Sequence, residues 1–468
     1  MYQVPFEFDV LDYEGSLAQL HSALRFGICP MLETVEDMLA ELGDPDLSFD
    51  CIQIAGTNGK TSTSRYTAAI LSGEGKKVAL YTSPELVSYT ERMEVAGAPV
   101  CEADFAYGIS AAAEAGRRVN ARRASAGERP YDITEFDTLT VAAMVVFARS
   151  GVDVAVLECG MGGRWDATSA AKSIKSVAVT GIGLDHIHVL GDTLEAIAGE
   201  KAAVIKSGRT CVLGTGCAAP ASVEDVFLAQ CESAGVVPTL LRPLDLADAA
   251  GEVPAEPFRD HPGMPLATFK VTKRPPRLGA PLELDVRTPR GDYPELAALK
   301  PAYQATNIAC AVVVSEDYLG RALDADKLFT SVIECPTPGR FQLLRPEPPL
   351  LIDACHNPQS VETFLASLSE ITFIDGSEPT LLCAVLADKD VRGIVELLAS
   401  RFHKVACTQT SSPRALSSSE LVDLFRDAGS TVVGEYRDVP SALSALCEES
   451  LVACGSITLA GEVAAAFA

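Results

Sequence analysis

Short apolar runs recur along the chain and alternate with stretches of helical character. Phe49 to Ala55 reads as a strand, Lys60 to Leu71 as a helix and Lys77 to Thr82 as a second strand. Val152 to Cys159, Ser176 to Ile182 and Thr210 to Leu213 repeat the pattern with helix-like segments between them. The runs are uninterrupted rather than alternating, which suits a mostly parallel sheet covered on both faces, so the fold class is α/β. Residues 236–300 are proline-rich and lack helical periodicity, and they read as added β-structure or loops. A helix follows from Tyr303 to about Leu319, and Cys335-Pro336-Thr337-Pro338-Gly339 reads as an interdomain connection. Beyond it, strands are expected near Leu350 to Cys355, Thr380 to Leu386, Lys404 to Thr408 and Ser456 to Ala460. The expected division is therefore 1–336 for a large domain and 337–468 for a smaller, Rossmann-like α/β domain.

The 468 residues exceed the size at which a single core usually stops growing, in keeping with two domains. With 48% hydrophobic and 22% charged residues the chain is a folded protein, and no apolar run approaches the roughly 18 to 20 residues that span a bilayer. Glu7, Asp9, Asp12 and Glu14 replace the basic start and apolar core of a signal peptide, so a cytoplasmic location is expected. A formal charge of −25 repels nucleic acid and anionic lipid, so neither is expected as a partner. Fourteen scattered cysteines without a CxxC pair read as buried free thiols, and with six histidines they carry no zinc signature.

Against this acidic background one segment is built for an anion. Gly56-Thr57-Asn58-Gly59-Lys60-Thr61 follows a strand and opens a helix. Glycines let successive N–H groups turn inward, the helix N-terminus adds partial positive charge, and Lys60 reaches terminal phosphates, which favours a nucleoside triphosphate. Other polar groups fall at later strand ends. Tyr81-Thr82-Ser83-Pro84 offers a hydroxyl that also suits an ordinary turn. Leu157-Glu158-Cys159-Gly160-Met161-Gly162-Gly163-Arg164 offers one carboxylate suited to Mg²⁺ or to capping, and Gly183-Leu184-Asp185-His186 offers an imidazole. Glu200-Lys201-Ala202 lies on the following helix. Hydroxyl, carboxylate and imidazole at successive strand ends around a triphosphate loop is a phosphoryl-transfer arrangement.

Together with Asp353-Ala354-Cys355-His356-Asn357-Pro358, these motifs resemble the folylpolyglutamate synthase/dihydrofolate synthase branch of the Mur ligase family, from Phe26-Gly27 to Gly455–Glu462. The resemblance implies ATP-dependent addition of L-glutamate to dihydropteroate, to reduced folates, or to both, through an acyl phosphate. It implies Gly56, Thr57, Asn58, Gly59, Lys60, Thr61, Asn307, Arg340, Asp353 and His356 as ATP contacts, and Ser83, Glu158 and His186 as Mg²⁺ ligands. It marks Lys60, Lys201, His186 and Glu158 as catalytic, with Lys201 matching an N-carboxylated lysine. Thr134, Glu135, Phe136, Asp137, Trp165, Asp166 and Ala167 match segments lining a pterin pocket, although core packing accounts equally for Phe136 or Trp165. Arg340 and Asp353 lie beyond the expected boundary, which places ATP between the domains. The family tends to be monomeric. Two positions depart from its common pattern: Glu85 follows Ser-Pro where histidine is frequent, and the loop reads Gly-Lys-Thr-Ser rather than Gly-Lys-Gly-Ser. The competing readings are a Mur-type ligase acting on a cell-wall precursor or another acidic metabolite, and a non-catalytic nucleotide-binding regulator. The roughly 55 residues before Gly56 leave no room for the extra N-terminal domain of a uridine-nucleotide ligase.

Overall fold

The computed structural model describes residues 2–23, 31–248, 258–372 and 378–467, which form two sheets; Phe26-Gly27 lies outside them. The large sheet contains β1 (Asp50–Ala55), β2 (Val78–Tyr81), β3 (Met93–Val95), β4 (Ala98–Pro99), β5 (Val154–Glu158), β6 (Ile174–Gly181), β7 (Thr210–Gly216), β8 (Thr239–Pro243), β9 (Leu266–Lys273), β10 (Leu282–Arg287) and β11 (Asp292–Ala298). Their order is β11-β10-β9-β8-β7-β6-β1-β5-β2-β3-β4. From β2 to β9 every neighbouring pair is parallel, and antiparallel strands finish both edges.

The apolar runs are continuous because both faces of this sheet are covered. In β1, Cys51 and Ala55 join the core on one face while Ile52 and Ile54 join the core on the other. Strand β5 divides in the same way, with Ala155 and Leu157 opposite Val154 and Val156. The helices Lys60–Gly73 and Gln304–Leu319 pack over one face, burying Tyr66, Ile70, Ile308 and Val312. Within the proline-rich stretch, of which 249–257 lie outside the described residues, β8 to β11 extend the large sheet.

The small sheet contains β12 (Gln342–Pro346), β13 (Pro349–Ile352), β14 (Thr380–Cys383), β15 (Lys404–Cys407), β16 (Thr431–Glu435) and β17 (Leu451–Cys454), in the order β12-β13-β17-β14-β15-β16. All its pairs are parallel except β12–β13. One expected strand is corrected here. Ser456 to Ala460 is not extended but begins the helix Ile457–Ala465, and the strand is β17 just before it. Gly455 at φ +117° turns the chain, and the Ser456 side chain accepts from the Leu459 N–H as the N-cap. An apolar run continuing through strand, cap and helix hides that change of direction.

All thirteen cysteines among the described residues are free thiols, and only Cys101 and Cys447 are exposed. No helix among the described residues is long and apolar enough to cross a membrane.

One buried charge cluster holds the β8 side of the large sheet. Glu224 is 1% exposed and accepts from Arg242 at 2.5 Å and Arg259 at 2.8 Å. Replacing Glu224 by Gln leaves the buried Arg242 guanidinium without its anion, so urea unfolding should report a loss of about 3–5 kcal/mol. A loss below about 1 kcal/mol would refute that role.

Candidate active site

Strand order creates the site. Because β1 lies between β5 and β6, the segments leaving their three C-terminal ends converge at the point where strand order reverses. The loop after β1 is Gly56 to Gly59, with Gly56 at φ +146° and Gly59 at φ +84°. A Cβ on Gly56 would overlap the Thr180 hydroxyl, and one on Gly59 would overlap the Asn307 side chain. The Thr180 hydroxyl donates to the Asn58 carbonyl at 2.6 Å, and the Thr57 N–H donates to the Gly181 carbonyl at 2.8 Å, so β6 braces the loop. Lys60 is the first residue of its helix, and its Nζ donates to the Thr57 carbonyl at 2.9 Å.

Glu158 ends β5 at the floor of the site and is 1% exposed. It accepts from the Thr61 hydroxyl at 2.8 Å and from the Ser83 N–H at 3.4 Å. Burial pushes its carboxyl up, opposed by Lys60, the Thr61 hydroxyl and Arg340. Among the described residues no lysine or arginine forms an ion pair with it. Beyond β6, His186 adopts φ +52°, and burial pulls its imidazole down to about 4, leaving it neutral at pH 7. Lys201 is 4% exposed, and its Nζ donates to the Gly56 carbonyl at 2.9 Å without a carboxylate partner among the described residues. Burial, then the nearby Lys60 charge, pull its amine down to about 7.

The small sheet closes the site from the opposite side. Asp353 follows β13 and is held by the N–H groups of Phe341 and Cys355, each at 2.8 Å. Arg340 lies in the connection, with Nη2 at 3.5 Å from the Thr61 hydroxyl. His356 Nδ1 lies 2.9 Å from the Ala354 carbonyl, and burial pulls the ring down to about 4. The cleft enclosed between the sheets has a volume of about 240 Å³. All fourteen sequence-selected ATP, metal and catalytic positions line it: Gly56 to Thr61, Ser83, Glu158, His186, Lys201, Asn307, Arg340, Asp353 and His356.

That convergence is matched by comparison with known proteins. The Mur ligase middle domain matches residues 54–213, and the Mur ligase glutamate ligase domain matches 339–461. Dihydrofolate synthase/folylpolyglutamate synthase of Mycobacterium tuberculosis is 32% identical over 403 residues, 84% of this chain and 77% of its own length. The chain belongs to the folylpolyglutamate synthase/dihydrofolate synthase family. It spans about half of a longer relative, a probable bifunctional folylpolyglutamate synthase/dihydropteroate synthase of Halobacterium salinarum, at 31% identity over 96% of this chain and 51% of that one. The crystal structure of Mycobacterium tuberculosis folylpolyglutamate synthase complexed with ADP and AMPPCP superposes with a TM-score of 0.81 at 27% identity, covering 97% and 99% of the two chains. A bifunctional folylpolyglutamate synthase/dihydrofolate synthase with Mn, AMPPNP and L-glutamate bound superposes at 0.75 and 25% identity, covering 99% of each chain.

Within this member of the family, the seven expected pterin-pocket residues lie apart from the cleft lining. Thr134 and Asp137 form the reciprocal cap of the helix Glu135–Ser150. Glu135 accepts from the Tyr89 hydroxyl at 2.9 Å, and the Phe136 ring packs under Gly160 with its centroid 6.0 Å from that of Tyr81. Asp166 caps the turn Ala167–Ala170 and accepts from the Met161 N–H at 2.9 Å; Ala167 is buried. Trp165 is 43% exposed. Glu85 accepts from Arg92 at 2.5 Å and does not line the cleft.

Sequence reasoning missed Lys389 and Gln359, which join the two sheets. Asp185 receives Lys389 Nζ at 3.0 Å and Asn357 Nδ2 at 3.3 Å from the small-sheet side. Desolvation opposes its ionisation, yet His186, Lys389 and His356 together hold it below the usual carboxylate range. Asn58 donates to Gln359 at 2.7 Å across the same gap. Asp185 stood in a quoted motif, but nothing in the spacing of Gln359 or Lys389 tied either residue to it.

Proposed function

We propose that this chain is an ATP-dependent amide ligase that joins L-glutamate to dihydropteroate, to reduced folates, or to both. The observation that carries the reading is the single cleft in which the phosphate loop and buried Glu158 meet Arg340 and Asp353 from beyond the connection. The relatives' names and their ADP, AMPPCP and L-glutamate complexes support it. We also propose residues 1–336 as the ATP-binding domain and 337–468 as the glutamate-ligase domain, working as a cytoplasmic monomer without nucleic-acid or membrane partners.

In this reading the acceptor carboxylate oxygen attacks the ATP γ-phosphorus, the bond to the bridging oxygen breaks, and ADP leaves. The glutamate amine then attacks the acyl carbon, phosphate departs with its electron pair, and the amine gives up a proton. The loop N–H groups and Lys60 hold the triphosphate, and Arg340 approaches it from the opposite side. Glu158, a buried carboxylate without an ion-pair partner among the described residues, fits a hard cation together with the Ser83 hydroxyl and the neutral His186 ring. Mg²⁺ bound there would neutralise charge on the triphosphate. Lys201, buried and close to neutral, suits capture of CO₂ as a carbamate. Phe136 and Trp165 sit on the segments proposed to meet the pterin.

Incubation with ATP, Mg²⁺ and glutamate, offering dihydropteroate in one vessel and reduced folate in another, tests the reading through ADP release and acceptor mass. Gain of one glutamate mass by either acceptor supports it, and gain by both makes the enzyme bifunctional. An active preparation that extends neither would overturn it in favour of a ligase with another acceptor. Glu158→Ala should raise the Mg²⁺ requirement or abolish turnover, and an unchanged Mg²⁺ titration would remove Glu158 from the metal site.

A further inference from the structure

We propose that a second cavity, bordered by the connection, binds an organic anion with an apolar body, its head group received by Lys300. The site is separate from the ATP cleft and does not depend on the ligase reading.

The cavity has a volume of about 740 Å³, within the range of small-molecule sites. Its walls come from the large sheet, the small sheet and the connection Cys335–Pro338 between them. Lys300 follows β11, and its Nζ donates to the Arg340 carbonyl at 2.8 Å. No carboxylate among the described residues forms an ion pair with it, and burial pulls its amine down to about 8 against the opposing pull of Asp353 and Cys335. An anion beside that amine would offset its desolvation.

The other charges lining the cavity are largely committed. Glu94 binds Arg65 at 2.6 Å, while Glu91 accepts the N–H groups of Leu86, Val87 and Ser88 at 3.0 to 3.2 Å. Lys300 and the exposed Arg277 form no ion pair among the described residues, so the cavity favours negative charge. Hydrogen-bonding capacity is also unused there. The Thr337 hydroxyl and Arg65 Nε, on residues that line the cavity, are buried beneath its surface without a partner, a condition that few buried polar groups share.

The body of the ligand is specified by the walls. Tyr66, Val332 and Phe341 form buried surface, and Val87, Leu299 and Phe467 remain exposed around the cavity. Large apolar side chains gathered at one opening mark a binding surface more often than scattered single ones do. Because Lys300 holds the Arg340 backbone and Arg340 approaches Thr61, an occupant would bear on the arm that closes over the phosphate loop.

The test titrates the full chain with 1-anilinonaphthalene-8-sulfonate in the presence of saturating non-hydrolysable ATP analogue and Mg²⁺. One equivalent should bind with intensified, blue-shifted emission. Lys300→Met should weaken it by at least about tenfold, as loss of a charged hydrogen bond does, and Lys300→Arg should restore it. Leu299→Glu, a change at an exposed position, should also weaken binding while leaving the far-ultraviolet circular dichroism unchanged. Absence of saturable binding with the ATP analogue present, or equal affinity in all variants, would overturn the proposal. None of these readings uses turnover, so failure here is distinct from failure of the ligase assignment.

Discussion

Lys60→Ala is expected to lower acceptor-dependent ADP release by at least about 10³-fold, the scale on which single charge-stabilising groups act on a transferring phosphoryl group. The side chain lies over the loop, 2.9 Å from the Thr57 carbonyl, at the start of a helix with no acid in its first turn. Alanine leaves the backbone N–H groups but removes the one cation carried by the loop itself. It also alters two neighbours, because Lys60 lowers the pKa of both Glu158 and Lys201. Both should therefore titrate higher in the variant. Lys60→Arg should recover little, since a planar fork cannot replace a compact ammonium in so tight a loop. Calorimetry with a non-hydrolysable analogue would separate lost binding from lost chemistry. Turnover above about a tenth of wild type would remove Lys60 from this role.

Lys201→Met is expected to cost at least about 10²-fold in turnover while leaving the fold intact, because methionine fills a similar volume without a polar head. The side chain is 4% exposed and has a single backbone acceptor, and the proposed carboxylation would add CO₂ to its amine with release of a proton. Enzyme loaded with ¹³C-bicarbonate should show a carbamate resonance that the variant lacks; its absence from wild type would sink the carboxylation. The pH dependence has a defined sign. The amine titrates near 7 in the folded protein against an ordinary value of 10.5, so between those values the unfolded chain binds more protons. In CO₂-free buffer, where Lys201 carries the free amine, wild-type stability attributable to this group should rise from pH 7 towards 10.5, with the full burial cost persisting below 7. In Lys201→Met that contribution should vanish, as measured by urea midpoints at pH 7 and pH 9.

Much of the site was legible because its chemistry is local. A glycine loop between strand and helix, a carboxylate at the end of an apolar run and a Ser-Pro at the next strand end are read within a few residues, and all of them line the cleft. The pterin segments carry a second role that composition does not reveal: Thr134, Asp137 and Asp166 cap backbone N–H groups, a role that does not by itself decide whether they also meet a ligand. The strand expected at Ser456 failed for a separate reason, since a cap embedded in an apolar run looks like more strand.

The α/β class, the two-part organisation expected of the chain and the phosphate loop are written in local pattern, because apolar periodicity and glycine placement act over short spans. The remainder comes from how the elements pack. That packing set β1 between β5 and β6, joined β8 to β11 to the large sheet, linked Asp185 to Lys389 and Asn58 to Gln359 across the cleft, and buried Lys201 beneath the Gly56 carbonyl. The three side-chain contacts join residues 145 to 301 positions apart, and the strand order depends on which strands lie side by side; both follow from packing whole elements together rather than from the periodicity of any one of them.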